Sequence, residues 1–122
     1  MLSFVRWTVL AFSLVLILAG FLPLLHPDLP GQTSNAPAYA WFHLVGACTG
    51  LACFAVGQGV GAPWFALGFG ALDLYQWVAS GVGWFPQSQF RWTPVDDGLH
   101  LGLGLALVAL GMVGLFLVRR RR

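Results

Sequence analysis

The sequence predicts an all-α integral membrane protein, a four-helix bundle, and three observations carry that prediction. The chain of 122 residues is 58% hydrophobic and only 8% charged, where a soluble domain of this size carries about a quarter charged residues. Its mean hydropathy is +0.79, and the apolar residues gather into long runs rather than alternating with polar ones. Each run is close to the roughly 20 residues that cross about 30 Å of hydrocarbon at 1.5 Å per residue. The breaks between the runs are polar, proline-bearing or glycine-rich. The whole chain, 1–122, reads as a single four-span domain.

The first run covers residues 4–25. Its apolar part exceeds the roughly 7–15 residues of a signal-peptide core, and the A-x-A sequence Ala38-Tyr39-Ala40 lies far downstream, beyond a proline-broken loop. It is therefore read as a membrane helix. The loop that follows holds His26, Pro27, Asp28, Pro30, Gly31, Asn35 and Pro37 and belongs in water. The second run, residues 38–56, contains Cys48 and Cys53, whose offset puts them on different helix faces and excludes a disulfide. Both are read as small buried hydrophobes.

A glycine-rich turn, residues 57–63, leads into the third run, residues 64–85. The loop after it carries Arg91 between Phe90 and Trp92, with Arg91 expected to pair with Asp96 or Asp97 in solvent. The fourth run, residues 95–118, opens on Thr93-Pro94-Val95-Asp96. Thr93 suits the N-cap, Pro94 the first helical position, and Asp96 the acidic position of a capping box.

The net charge is +2, and four of the six basic residues are Arg119 to Arg122. With four spans both termini share a side, and the positive-inside rule makes it cytoplasmic. The location is then a bacterial-type plasma membrane, multi-pass. Trp41, Phe42, Trp84, Phe85, Phe90 and Trp92 would form an aromatic belt at the outer interface. The terminal arginines suit an anionic membrane surface, and no basic patch interleaved with aromatics favours nucleic acid. The expected partners are the lipid bilayer and either other membrane subunits or a second copy of the chain.

Helices two and four each carry a histidine near the outer end with glycines deeper in: Gly46 and Gly50, and Gly102 and Gly104. This suggests two repeated helical hairpins related by an axis along the membrane normal. The glycines are expected at close helix contacts.

Asp73, Gln76 and Ser80 are spaced three and four apart and form a polar stripe on the third helix. Asp73 lies about 13 Å in, near mid-membrane, where a carboxylate costs about 2.5–3.5 kcal/mol on insertion scales and must face inward. His43 and His100 sit about 5–8 Å inside the boundary. The expected constellation is an outer-half polar cluster of His43, Gln76, Ser80, Asp96 and His100, with Asp73 beneath it.

That cluster admits several chemistries. The leading reading is structural: a non-enzymatic membrane protein, a structural or accessory subunit whose polar groups satisfy one another. One alternative binds haem b or another small ligand through His43 and His100. A zinc site from His43, His100 and Asp96 or Asp97 lacks any HxxxH, HExxH or CxxC spacing. Another alternative is a proton-coupled carrier using Asp73. No serine or cysteine stands beside a base at readable spacing, so no catalytic motif is found and no metal site is expected.

Trp41-Phe42-His43-Leu44-Val45-Gly46, a third helix ending near Trp84, and Thr93-Pro94-Val95-Asp96-Asp97-Gly98-Leu99-His100-Leu101 with Leu103-Gly104 together resemble an uncharacterised bacterial four-span membrane family, domain of unknown function 4383. The resemblance covers about residues 41–114. Its acid aligns with Asp96 or with Asp97. It implies an integral membrane protein and supplies no catalytic residue.

Overall fold

The computed structural model describes residues 1–28, 31–56 and 60–120. The parts of the expected loops, turn and basic tail that fall on Leu29, Pro30, Gly57, Gln58, Gly59, Arg121 and Arg122 lie outside the described residues. All regular structure among the described residues is helical: α1 (Leu2–Leu25), α2 (Pro37–Ala55), α3 (Gly61–Val82), α4 (Gln87–Phe90) and α5 (Pro94–Arg119).

Local chemistry accounts for most of these boundaries. Pro37 occupies the first position of α2 and Pro94 that of α5, where a missing N–H costs nothing. The helix α3 begins three residues before the expected start, because Pro63 falls in its first turn and is tolerated there for the same reason. It stops at Val82 because Gly83 takes the left-handed conformation, φ 71°, the usual way for glycine to end a helix. The four-residue α4 was not anticipated. The Thr93 capping box is complete: its hydroxyl accepts from the Asp96 N–H, and the Asp96 carboxylate accepts from the Thr93 N–H.

Three helices, α1, α2 and α5, are long and apolar enough to cross a membrane. The fourth expected span, α3, is 22 residues long, but it falls short of the other three in hydropathy because it carries Asp73, Gln76 and Ser80.

The chain packs as two intimate pairs, α1 with α2 and α3 with α5. In the second pair backbone meets backbone. A Cβ on Gly70 would lie 2.7 Å from the Val108 nitrogen, and one on Gly111 would lie 2.6 Å from the Leu67 nitrogen. Gly104 and Gly114 press instead on the side chains of Leu74 and Pro63. Gly46 and Gly50 make room for Phe69 and Phe65, which joins α2 to α3. Gly102 departs from the expectation that it serves helix packing: it is exposed, and a side chain there would meet nothing within 4 Å. Two residues of helix turn through about 200°, so Gly102 and Gly104 cannot share a face.

All four long helices feed one core of Val5, Val9, Leu16, Ala47, Phe65, Ala66, Phe69 and Leu107. A second cluster at the loop end joins Ala36, Tyr39, Ala79 and Trp92 with Phe42 and Phe90. Trp92, Phe42 and Phe90 thus pack inward rather than forming a belt. Trp41, Trp84 and Phe85 are the exposed members. Cys48, expected to be buried, is exposed, while Cys53 is half-buried.

Candidate functional site

The site is built where the α1–α2 loop meets the start of α5. Asp96 Oδ2 accepts from the Thr93 N–H at 2.9 Å and from the Ser34 N–H at 2.8 Å. The Ser34 hydroxyl donates to the Phe90 carbonyl, and the Thr93 hydroxyl lies 2.6 Å from the Gln32 carbonyl. A single carboxylate therefore caps α5 and holds the distant loop across it. Asp97 points elsewhere, and its Oδ1 is buried without a partner among the described residues.

One turn further along α5, His100 faces inward. Its Nε2 lies 2.7 Å from the Tyr39 hydroxyl. The Tyr39 ring also lies against His43, with ring centroids 4.1 Å apart, and Trp92 meets His100 edge-on at 5.5 Å. From α3, Gln76 Nε2 donates to Asp73 Oδ1 at 3.3 Å. Asp73 and Gln76 are 4% and 3% exposed.

The polar residues border a cavity of about 280 Å³. Tyr39, His43, Asp73, Asp96 and His100 line it, with Phe12 and Phe69 as aromatic walls. Val15 and Leu22 of α1 and Leu99 and Leu103 of α5 flank it, and all four are exposed. A second cavity of about 510 Å³ continues past Leu22, Pro23, Thr33 and Ser34 to His26 and Arg91. Arg91 makes no ion pair with Asp96 or Asp97 among the described residues; it lines this outer cavity instead.

The cluster expected from spacing is thus partly assembled. His43, Asp73, Asp96 and His100 share the cavity, and Gln76 reaches it through Asp73. Ser80 does not join them: it is half-buried near the end of α3 and lines neither cavity. Tyr39 is the residue that sequence reasoning missed. Its spacing of four from His43 on one helix face was the available signal.

Three buried polar atoms beside the cavity have no hydrogen-bond partner among the described residues: His43 Nδ1, His100 Nδ1 and Gln76 Oε1. Buried polar groups in folded proteins are nearly always satisfied by protein, water or ligand. The arrangement is a poor haem site. The Tyr39 ring lies against His43, and its hydroxyl engages the His100 nitrogen that an axial ligand would offer. No group of three or more His, Cys, Asp or Glu side chains is placed to hold a metal ion among the described residues.

Comparison with known families, curated proteins and solved structures returns no match to this chain.

Proposed function

We propose that this chain is a non-enzymatic, four-span membrane protein of a bacterial-type plasma membrane that binds a small molecule in its cavity. The observation that carries this reading is the cavity of about 280 Å³ walled by aromatic rings and floored by buried polar groups, some of them unpartnered. Ligand pockets combine an apolar lining with a few convergent polar groups in this way.

The membrane part of the proposal rests on surface and seam chemistry. Large apolar side chains such as Leu14, Leu18, Leu72, Val78, Leu105, Met112 and Phe116 point outward, while small residues occupy the helix contacts, as packing in lipid requires. The helix α3 fits the same pattern despite its polar residues, because Asp73 and Gln76 are buried and Leu72, Tyr75, Trp77 and Val78 are exposed. At 22 residues it spans about 33 Å. Exposed Trp7 and Trp64 near one end and Trp41 and Trp84 near the other would mark two interfaces. The start of α1 lies beside the later turns of α5, so Arg6 and Arg119 favour one side. That side is cytoplasmic by the positive-inside rule, and the cavity then lies in the outer half of a four-helix bundle of two repeated hairpins.

A second reading, an accessory subunit, is favoured by a different feature. A groove between α2 and α3, lined chiefly by apolar and aromatic side chains such as Phe42, Val45, Trp64, Phe65 and Leu72 beside Thr49 and Gly68, offers an apolar face to another membrane helix.

Mass spectrometry of the protein released from detergent tests the leading reading. A bound small molecule is expected with the native chain and not with Ala19→Phe, which fills the cavity. An empty native chain, or equal occupancy in the filled variant, would refute it.

A further inference from the structure

We propose that the cavity's ligand is a lipophilic organic monocation, a substituted ammonium, which enters from the lipid between α1 and α5 and takes the place of a proton on Asp73. The proposal rests on the ligand-binding reading above and adds the ligand's charge and route.

Charge balance selects the class. Asp73 is the deepest carboxyl in the cavity wall, and its one side-chain hydrogen bond comes from a neutral amide. A carboxylate in a water-poor interior needs a positive partner. The other titratable groups bordering the cavity are Tyr39 and His43 of α2 and Asp96 and His100 of α5; α1 contributes none. Asp96 is already held by Thr93 and Ser34, and His100 by Tyr39. No arginine among the described residues lines the cavity, and the chain contains no lysine. The countercharge must come from a proton or from a ligand.

The same lining excludes the other charge classes. An anionic head would face Asp73 and Asp96 and find against them only the imidazoles of His43 and His100, neither of them a fixed positive charge. A bare metal ion would need several grouped donors, which the described residues do not supply. A substituted ammonium instead finds aromatic walls in Phe12, Phe69 and Tyr39, whose faces attract cations most strongly where water is excluded. The cavity volume, near the lower end of small-molecule pockets, suits one ring or a few alkyl groups. The contact between α1 and α5 is slight, and exposed Val15, Leu22, Leu99 and Leu103 border the opening. Such a mouth admits an apolar cation from lipid and repels a hydrated one. Binding forms an ion pair between the ammonium and the Asp73 carboxylate as the acid's O–H bond breaks. The proton leaves toward water past Thr33 and Ser34, which the inner and outer cavities share.

The test uses the full chain in nanodiscs, with benzyltriethylammonium and its neutral carbon isostere as probes. The cation is expected to bind and to release protons in weakly buffered solution. Asp73→Asn should weaken it about 30-fold through loss of the charge contact, and Asp73→Glu should restore part of the affinity. Equal binding of the neutral isostere would overturn the ligand class, and cation binding without proton release would overturn the exchange at Asp73; either result leaves a cavity that binds small molecules. Absence of binding by either probe, with a small molecule still lost in Ala19→Phe, would also sink the cation. Those readouts use the native chain, so they decide the matter even if the Asp73 variants fail to fold. No binding by either probe and no co-purified molecule would remove the broader reading too.

Discussion

Helix α5 treats two of its neighbours in opposite ways. Toward α3 it presents glycines, and the two backbones close to contact at Gly70, Gly104 and Gly111. Toward α1 it presents Leu99 and Leu103, and the helices stay apart around a cavity. In a surface already apolar all round, adding apolar bulk does not pull two helices together; removing it lets them approach. The position of the glycines therefore decides where this molecule is solid and where it is open.

The largest expected effect comes from closing that distinction. Gly111→Leu places its side chain into the Leu67 backbone, which cannot yield as a side-chain tip can. A loss of about 3 kcal/mol is expected, the upper end of ordinary overpacking. Gly102→Leu, only nine residues away but facing open space, should stay within about 0.5 kcal/mol. Thermal unfolding of the two variants in one detergent compares them directly. Equal destabilisation would mean that the backbone contact at Gly111 is not what holds α3 and α5 together.

This contrast also marks the limit of what the sequence discloses. The long helices were legible because runs of apolar residues have a minimum length to cross lipid, and the α5 cap because Thr93, Pro94 and Asp96 act within one turn. The inward turn of Asp73 and Gln76 was legible because polar groups in an apolar helix have one tolerable direction. Which of Gly102 and Gly104 meets a neighbour was not, since that depends on the azimuth of α5 relative to α3. Tyr39 escaped because an aromatic residue near a helix end reads equally well as an interfacial anchor. Ser80 continued the stripe by spacing, yet lies too near the end of α3 to reach the cavity.

The two acids at the start of α5 offer the next comparison. Asp96→Ala removes the capping carboxylate and its bond to Ser34, so about 2 kcal/mol should be lost, as for other charge-assisted bonds. Asp97→Ala removes a carboxyl with an unpartnered oxygen and should change stability by less than about 0.5 kcal/mol. If Asp97 proved the more costly, the loop would not be held as described. Asp96→Ala should also increase protease cleavage within residues 31–36, because Ser34 loses its anchor.

Tyr39→Phe probes the wall of the open region. It keeps the ring against His43 and removes only the hydroxyl that meets His100 at 2.7 Å. About 1 kcal/mol should be lost, the ordinary worth of a buried hydrogen bond, with a little more for the stranded imidazole nitrogen. Imidazole NMR resonances of His100 should shift while those of the exposed His26 stay in place. An unmoved His100 would place that hydroxyl outside its hydrogen-bonding reach.

The smallest effect is expected at the far end, where α1 is fastened on the side away from the gap. Arg6 donates to the Phe54 carbonyl at 3.2 Å and lies over the Phe54 ring at 5.0 Å. It thus meets both the negative end of α2 and an aromatic face, each worth about 0.5–1 kcal/mol where partly exposed. Arg6→Lys keeps the charge but loses the planar fork, and should cost about 0.5 kcal/mol. Arg6→Met keeps much of the packing and loses the charge, costing about 1 kcal/mol. The order of those two losses separates charge from geometry. Because the fastening holds α1 to α2 and not to α5, neither change should alter the occupancy of the cavity. A variant that loses ligand as well as stability would show that the opening between α1 and α5 is set from the opposite end of the helix.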